Sequence, residues 1–414
     1  MAKRLFYGSP NRIMQFIESD LKAASIYEIA NTIFMLEKRV KDGKPIPKEV
    51  ILNTYISLTK AETDRISLLL NILVSDVLLE NIKFTINFKK IEKKTLKRNF
   101  KQCQTICLFS GGVDSTIGIL NAKEKYNNII GLYVAHQDTG KINSKVEKLK
   151  KEILDPSKIP FEKLIAPKMG TGYSQTRGFL YLLYAGLISQ FTESKRIIIS
   201  ECGATMYQPK FAPFDTITYT TNPYVLQIAK TILQIIIKRE LEIITPFEDF
   251  TKTEFMTLMP KDSILSKTHS CITGRWDQNC GVCYACITRM IGSVNLNLSL
   301  NYFRANVFQK RDNENLNSLL NFCINYLFNK ESLDFWSFRS IENFGKTGLF
   351  IRVCEDTFLA MYKLFKKNKM HVHYEFILED YLNQVGEKRL QLRDKELSKK
   401  KEPNYKKHVG LYKI

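Results

Sequence analysis

The sequence has no long uninterrupted hydrophobic run. Of its two most apolar stretches, 179–188 is short and 226–244 contains five charged side chains, whereas a membrane-spanning helix needs about 20 largely apolar residues. The first ten residues also lack the apolar core that a signal peptide requires. We therefore expect neither a membrane segment nor a leader peptide.

Acidic residues are scarce relative to basic ones. The chain has 62 Lys and Arg but only 42 Asp and Glu, which gives a formal net charge of +20. Such an excess favours polyanionic partners, namely nucleic acid, nucleotide phosphates or an acidic protein, without choosing among them. Much of it lies before residue 101 and after residue 362, which favours a large acidic partner. The alternative is that the lysines cover solvated faces and share no partner.

The nine cysteines do not suit a disulfide framework, because their number is odd and four of them crowd between positions 271 and 286. Such crowding is typical of a metal site in a reducing compartment, so we predict one metal site and a cytoplasmic protein. The 414 residues are 44% hydrophobic and 11% aromatic. This composition is sufficient to form a packed core and excludes a largely disordered chain.

Residues 1–100 are predicted to form a mainly helical N-terminal extension. Apolar residues recur at helical spacing over 11–40, and a second helix at 61–80 is apolar on nearly all sides. Residues 82–88 alternate as in a half-buried strand, and the lysine-rich stretch that follows is predicted to close this unit.

The region 101–295 alternates strands with helices, which is typical of a parallel sheet covered on both faces. Such sheets bind ligands at the carboxyl ends of their strands. The predicted strands are 104–109, 128–135, 196–200 and one that begins at 242, and the predicted helices are 115–126, 141–154, 177–190 and 223–239.

Residues 296–414 are predicted to form a helical, basic C-terminal extension. Helical patterns cover 313–329 and 356–367. The stretch 386–407 is dominated by charged residues, and we expect it to be a solvated helix that frays.

One segment between a predicted strand and a predicted helix has the composition of an anion-binding loop. Two adjacent glycines allow a tight turn, two serines supply hydroxyl groups, and the start of a helix adds N–H groups and the positive end of its dipole. Asp114 cannot bind an anion directly, and a bridging magnesium ion suits its carboxylate. An ordinary turn after a strand is the alternative. The residues of the loop are Ser110, Gly111, Gly112, Val113, Asp114 and Ser115.

The stretch Ser-Gly-Gly-Val-Asp-Ser at 110–115 resembles the signature of the PP-loop ATP pyrophosphatases. These belong to the adenine nucleotide alpha-hydrolase superfamily, whose Rossmann-like domain binds ATP. The resemblance implies that the loop holds pyrophosphate while an acceptor attacks the alpha-phosphate, giving AMP and pyrophosphate. It also implies catalytic roles for Ser110, Asp114 and Ser115, which act by positioning and electrostatics.

The four crowded cysteines have the spacing C-x8-C-x2-C-x2-C. Thiolates that converge from one loop suit a tetrahedral site for a soft metal, so zinc is the first choice and an iron–sulfur cluster the alternative. With all four positions taken by protein, zinc would be structural. The predicted ligands are Cys271, Cys280, Cys283 and Cys286.

Together, the loop and the cysteines are similar to the 7-cyano-7-deazaguanine synthase (QueC) family over roughly 103–292. In that family an arginine and a lysine lie where this chain has Arg177 and Lys252, so the resemblance implies that both bind ATP and that Lys252 is also catalytic. It makes 101–295 a PP-loop ATPase domain with a zinc-binding loop. The substrate segment of the family has no clear copy, the nearest stretch being 221–224, and family members lack the two extensions.

The family reaction begins with adenylation of a 7-carboxy-7-deazaguanine carboxylate, after which ammonia displaces AMP and a second adenylation leads to the nitrile. The resemblance therefore implies an ATP-dependent ligase that uses ATP, magnesium and zinc. The family's acyl acceptor is ammonia. The altered substrate segment and the extensions of this chain lead to a further hypothesis, in which the acceptor is a larger amine, such as a protein terminus or lysine, or the enzyme acts beside partner proteins in an antiviral defence operon.

Two other functions fit the same sequence. A PP-loop enzyme that modifies tRNA, by thiolation or lysidine-type ligation, would use the positive charge of the chain, and Cys202 would then be a sulfur acceptor rather than a buried core residue. A non-enzymatic nucleic-acid-binding module would use the zinc loop and the basic tail, but it leaves the PP-loop unexplained. Nucleic-acid binding is therefore compatible with the sequence but not required by it.

Overall fold

The computed structural model describes residues 19–91, 100–136, 140–168, 174–207, 221–259, 261–271, 278–329, 344–399 and 401–406. Within these ranges, no helix is both long and apolar enough to cross a membrane.

The N-terminal extension contains both predicted helices and a small parallel sheet. The predicted strand pairs with a strand that was not predicted, with Val50 opposite Phe84. The first helix is buried on nearly every side, because the second helix of the extension and the central domain pack around it. Residues 11–18, which were predicted to begin that helix, lie outside the described ranges. The elements are α1 (Leu21–Lys41), β1 (Glu49–Thr54), α2 (Lys60–Leu78) and β2 (Lys83–Phe88).

A five-stranded parallel sheet forms the centre of the molecule, which confirms the predicted α/β fold class. The strand order is β5-β4-β3-β6-β7, so the chain starts at the middle strand, fills one side and returns to fill the other. The reversal falls between β3 and β6, and crevices at such switch points accept ligands. The strands are β3 (Thr105–Leu108), β4 (Ile129–His136), β5 (Phe161–Ala166), β6 (Arg196–Ile198) and β7 (Glu242–Ile244).

Helices cover both faces of this sheet. Four long helices follow the predicted pattern, whereas the short helices after β7 and the helix after the cysteines were not predicted. A π-helical turn at Lys150–Leu154 extends the second helix of this region to its predicted end. The helices are α3 (Val113–Lys125), α4 (Gly140–Leu149), α5 (Arg177–Thr192), α6 (Gly203–Met206), α7 (Pro223–Ile237), α8 (Lys252–Thr257), α9 (Asp262–Leu265) and α10 (Tyr284–Asn295).

The C-terminal extension is helical, as predicted. Most charged residues of its last helix are exposed, as expected, but one face of the helix buries Leu390, Arg393 and Leu397 against the rest of the protein. Residues 400 and 407 of the predicted tail lie outside the described ranges. The elements are a 3-10 turn (Val307–Gln309), α11 (Glu314–Phe328), α12 (Thr347–Phe365), α13 (Val372–Val385) and α14 (Glu387–Leu397).

One hydrophobic core runs through all three regions. Its buried side chains include members of α1, of the central sheet and of α14, and a second, smaller cluster lies against the other face of the sheet. Both extensions therefore pack into the central domain.

Candidate active site and metal centre

The PP-loop connects β3 to α3 and is shaped by its own side chains. The hydroxyl of Ser115 accepts from the N–H of Ser110 at 3.1 Å and donates to the carbonyl of Gly112 at 3.1 Å. Gly111 has a φ of +78°, and a Cβ there would lie 3.0 Å from the side chain of Leu149, so glycine is required at this position. The loop thus presents the N-terminus of α3 at the carboxyl edge of the sheet.

A second segment of the chain holds the PP-loop from outside. The N–H of His269 donates to the carbonyl of Gly111 at 3.1 Å, and the hydroxyl of Ser270 accepts from the N–H of Val113 at 3.2 Å. The N–H of Ser270 in turn donates to the side chain of Asn279 at 3.2 Å. Since this segment leads directly into the cysteine cluster, the phosphate loop and the metal centre adjoin.

The structure brings together two residues that the sequence places far apart. The Nζ atom of Lys252, the first residue of α8, lies 2.7 and 2.5 Å from the two carboxylate oxygens of Asp114. Their side chains are only 12% and 9% exposed. Burial alone would lower the pKa of Lys252, but the charge of Asp114 raises it above its usual value, so the ammonium stays charged.

Glu201 is a site residue that the sequence analysis missed. It follows β6, the strand next to β3, and its carboxyl group contacts that of Asp114. Burial and the negative charge of Asp114 raise the pKa of Glu201 to about 8, whereas the positive charges of Lys252 and Arg177 act in the opposite direction. A carboxyl group just beyond a predicted parallel strand was the signal that could have identified it.

Arg177 begins α5 and also faces this cluster. The start of its helix is fixed by Glu37 of α1, whose carboxylate accepts from the hydroxyl of Ser174 at 2.8 Å and from the N–H groups of Gln175 and Thr176 at 2.5 and 3.0 Å. The Nε atom of Arg177 is buried and has no hydrogen-bond partner among the described residues. Such a donor suits a phosphate or carboxylate of a bound substrate.

The site therefore combines three positive elements with two carboxyl groups. The N-terminus of α3, Lys252 and Arg177 give it the positive potential that suits an anion such as a phosphate group. Asp114 supplies a carboxylate, and Glu201 supplies a carboxyl group that would give up its proton to a bound cation. Oxygen ligands of this kind suit magnesium, so the residues present fit the ion that PP-loop enzymes use with ATP.

The four predicted cysteines form one cluster. Their sulfur atoms all lie within 4.8 Å of one another, and the Sγ atoms of Cys280 and Cys286 are 3.8 Å apart. Zn–S bonds of about 2.3 Å at tetrahedral angles give S···S distances of about 3.8 Å, so the donor set fits zinc. In an iron–sulfur cluster the thiolates bind different iron atoms and lie further apart, so the compact arrangement favours a single ion.

The four thiols are close enough to shift one another's pKa in opposite directions: the neighbouring thiols raise the pKa of Cys286 but lower that of Cys280. The neighbouring thiol of Cys271 alone would raise the pKa of Cys280, but hydrogen bonds with Cys283 and Cys286 lower it to about 5. Arg289, just after the cluster, is fully buried and donates to the carbonyls of Leu265 and Thr268. It thereby fixes the segment that leads into the first cysteine.

Cys202 and the stretch 221–224 both have structural roles. Cys202 is fully buried, and burial raises its pKa to about 11, so it lacks the thiolate character that a sulfur acceptor needs. In the stretch 221–224, Asn222 caps α7, and the hydroxyl of Tyr224 donates to Asp76 of α2 at 3.0 Å. This nearest counterpart of the family's substrate segment therefore contacts the N-terminal extension.

The family model described as "Queuosine biosynthesis protein QueC" matches residues 163–296. The match includes Arg177, Glu201, Lys252 and all four cysteines but begins after the PP-loop. It supports a QueC-like member of the PP-loop superfamily, whose enzymes use ATP. No curated protein matches the chain.

Proposed function

We propose that this protein is an ATP-dependent ligase that adenylates the carboxylate of a 7-deazaguanine-type acid and transfers the acyl group to ammonia or another amine. The observation that carries the proposal is the buried ion pair between Lys252 and Asp114 at the mouth of the PP-loop, where Arg177 also converges. The QueC match over 163–296 supports the substrate class.

In the proposed first step, a carboxylate oxygen of the substrate attacks the alpha-phosphorus of ATP, and the bond to the departing pyrophosphate breaks. The N-terminus of α3 and the hydroxyl groups of Ser110 and Ser115 stabilise the charge on pyrophosphate, with Lys252 and Arg177 adding positive charge. Magnesium held by Asp114 and Glu201 would neutralise further phosphate charge. In the second step the amine attacks the acyl carbon, AMP leaves with the electron pair, and solvent takes the proton.

The residue roles follow the same proposal. Ser110, Asp114, Ser115 and Lys252 are assigned to catalysis. The cysteine cluster is assigned to structural zinc. The ATP-binding set comprises Ser110, Gly111, Gly112, Val113, Asp114, Ser115, Arg177 and Lys252. The division into an extension at 1–100, an ATPase domain at 101–295 and an extension at 296–414 belongs to the proposal.

The acceptor is the part of the proposal that distinguishes this chain from a simple amide synthase. The extensions pack into the ATPase domain through one core, and the nearest counterpart of the substrate segment is occupied in helix capping. These two observations support an acceptor larger than ammonia. We propose a protein amine from a partner, in an antiviral defence role in the cytoplasm.

The decisive experiment incubates purified protein with ATP, magnesium and 7-carboxy-7-deazaguanine, with and without ammonium, and measures AMP, pyrophosphate and nucleobase mass. We expect AMP release that requires the acid. Asp114→Asn should lower it at least about 100-fold, while the matched variant of the exposed Asp64, Asp64→Asn, should leave it unchanged.

Equal AMP release from wild-type protein and Asp114→Asn would contradict the catalytic assignment. AMP release that requires tRNA instead of the acid would favour the tRNA-modifying class. For the acceptor, co-expressed candidate partners are examined by mass spectrometry. The absence of a deazaguanine-sized addition on any of them would contradict transfer to protein.

A further inference from the structure

Lys252 stands on a helix that is too short to fix its own position. The helix α8 has only six residues, and Lys252 is the first of them. Helix formation has a costly nucleus, so a single short helix is marginal without outside contacts. The placement of the Lys252 ammonium on Asp114 must therefore depend on what holds the start of α8.

The start of α8 is built partly from local sequence and partly from the C-terminal extension. Thr251 and Glu254 form a capping box, in which each side chain accepts from the backbone N–H of the other at 3.1 and 3.0 Å. The hydroxyl of Thr251 also donates to Asp356 of α12 at 2.5 Å. The carboxylate of Glu254 also accepts from Arg352 of α12 at 2.8 Å.

Arg393 of α14 joins the two halves of this cap. Its Nε atom donates to Asp356 at 2.8 Å and its Nη2 atom donates to Glu254 at 2.9 Å, and its side chain is 2% exposed. Burial would raise the pKa of Glu254, but the charges of Arg352, Arg393 and Lys401 lower it to about 2, so the carboxylate is ionised at neutral pH. The rigid fork of the guanidinium fixes the two carboxylates relative to each other.

Stability alone does not explain such a network. Desolvation of buried charges opposes their mutual attraction, and replacing a buried ion pair by apolar residues is often neutral or stabilising. The guanidinium fork of Arg393 holds Thr251 and Glu254 in one defined orientation. An apolar side chain could not do this. These two residues flank Lys252 and Thr253, the first turn of α8.

We propose that Arg393 of the C-terminal extension is a positioning residue for Lys252, acting through the cap formed by Thr251 and Glu254. The extension thereby completes the ATP site without contacting the nucleotide. Only the activity readout of this proposal rests on the proposed function. The position of Lys252 can be measured without any substrate.

The test compares Arg393→Met with a matched variant on the same helix, Arg389→Met. Arg389 lies one turn earlier and binds Glu355 of α12 at 2.6 and 2.8 Å. Its loss therefore removes an ion pair between the same two helices without touching the cap of α8. Leu390→Ala, which removes a fully buried apolar side chain of α14, calibrates the effect of weaker docking.

The first readout is the rate at which an acetylating reagent labels the Lys252 amine in the full chain without ATP, followed by mass spectrometry. We expect labelling about tenfold faster in Arg393→Met, because the ammonium leaves its buried partner more often, and no change in Arg389→Met. The second readout is AMP release. Here kcat should fall about 100-fold in Arg393→Met, with KM for ATP nearly unchanged, because a small displacement of a catalytic group is costly.

The conservative variant Arg393→Lys keeps the charge but loses the fork, and it should recover only part of the kcat and of the protection of Lys252. If Arg393→Met does not fold, the labelling rate of Lys252 is measured in Arg393→Lys instead. Equal labelling of Lys252 in Arg393→Met and Arg389→Met would overturn the proposal. The proposal would also be overturned if Leu390→Ala and Arg393→Met lost the same thermal stability and their Lys252 amines were labelled at the same rate. If wild-type protein releases no AMP but the labelling contrast holds, the proposed function fails and the positioning role of Arg393 stands.

Discussion

Glu28 and Glu254 are both buried carboxylates, but they face surroundings of opposite character. Glu28 on α1 is 3% exposed and faces the amide of Asn53 at 3.5 Å and the hydroxyl of Tyr55 at 3.4 Å, so burial dominates and raises its pKa to about 7. Burial acts in the same direction on Glu254, but three cations lower its pKa to about 2. Whether the pKa of a buried carboxyl group rises or falls is therefore decided by the charge of the groups around it, and these groups are brought together only by the fold.

The raised pKa of Glu28 predicts a pH dependence of folding. The unfolded carboxyl group titrates at its ordinary value of 4.5 and the folded one at about 7, so between these values the folded state binds the extra proton. The contribution to stability is complete below pH 4.5 and is lost as the pH rises through about 7, a change of about 3 kcal/mol. Glu28→Gln should remove this contribution to the decline and leave the one that the raised pKa of Glu201 predicts, as measured by urea unfolding at pH 5, 6 and 7.

The control for this prediction is Glu379→Gln, at an exposed position of α13. It should keep the slope of the wild-type protein. A Glu28→Gln protein whose stability declined with pH as steeply as the wild type would show that Glu28 is not the group responsible.

At the scale of elements, the segments that carry the site are fixed by neighbours distant in sequence. The start of α5, with Arg177, is capped by Glu37 of α1, and a carboxylate at this end also complements the helix dipole. The start of α8 is held by the C-terminal extension. The PP-loop is held by Ser270, next to the cysteines. Each catalytic segment therefore depends on an element outside the strand-and-helix unit to which it belongs.

The contact between the PP-loop and the cysteine segment predicts a coupling between metal and fold. Cys283→Ser should lose the bound zinc and lower the free energy of unfolding by about 4 kcal/mol, because a metal ligand set cannot be replaced by one hydroxyl. Elemental analysis and thermal unfolding measure the two effects. Cys103→Ser, a buried cysteine outside the cluster, should keep the full zinc content.

For the metal itself, retention of zinc by Cys283→Ser would contradict the ligand assignment. Iron and sulfide in place of zinc in the wild-type protein would reverse the choice of metal.

At the scale of the whole molecule, some basic side chains are bound inside the fold, but the net charge of +20 is unchanged, because each ion pair takes up one positive and one negative charge. Basic side chains of the C-terminal extension form ion pairs with carboxylates of the extension and of α8, so these particular side chains are not all available to a partner. The acidic partner remains a prediction that rests on the excess of basic residues over the whole chain. The pairs are Lys363 with Asp394, Arg389 with Glu355, Arg393 with Asp356 and Glu254, and Lys401 with Glu254.

The shared core predicts that the C-terminal helix is part of the folding unit. A chain that ends at Val385 loses Leu390, Arg393 and Leu397 from the core and leaves Asp356 without its guanidinium. We expect a loss of at least about 4 kcal/mol in the free energy of unfolding and a low soluble yield.

A chain that ends at Lys399 keeps α14 and is the matched control. It loses the contact of Lys401 with Glu254, that of Asn404 with Pro246 and the packing of the Tyr405 ring on Tyr126 and Phe247. We expect a cost of about 3 kcal/mol, smaller than that of losing α14. Equal stability of the two truncated chains would show that α14 is not part of the common core.

The sequence predicted the elements whose pattern is long or strongly periodic. The alternation of 101–295 indicated the parallel sheet, and the apolar helices α2, α5 and α7 were found nearly to their ends. It missed β5, whose sequence Phe-Glu-Lys-Leu-Ile-Ala carries charges inside the sheet edge, and α8, which is too short to show a period. It also missed two longer helices, α10 and α13. Short and edge elements depend on tertiary contacts for their formation, so their local signal is weak.

The candidate site divides in the same way. Residues 110–115 and the four cysteines each lie close together in the sequence. Their spacing along the chain is enough to place them together in space, so the sequence predicted each group as a whole. Glu201, Glu37 and Arg393 were not, because each acts on a partner that lies far away in sequence.

By itself, the amino-acid sequence determined a strand–loop–helix turn, a cluster of four thiols that could hold a metal ion and a parallel α/β domain, since backbone geometry and the spacing of residues along the chain are local properties. Only the tertiary structure decided that Lys252 forms an ion pair with Asp114, that Glu201 lies beside them and that both extensions contact the segments that carry the site. These are contacts between side chains brought together by a shared hydrophobic core. Burial in that core gives an ion pair such as Arg393 with Asp356 its fixed geometry.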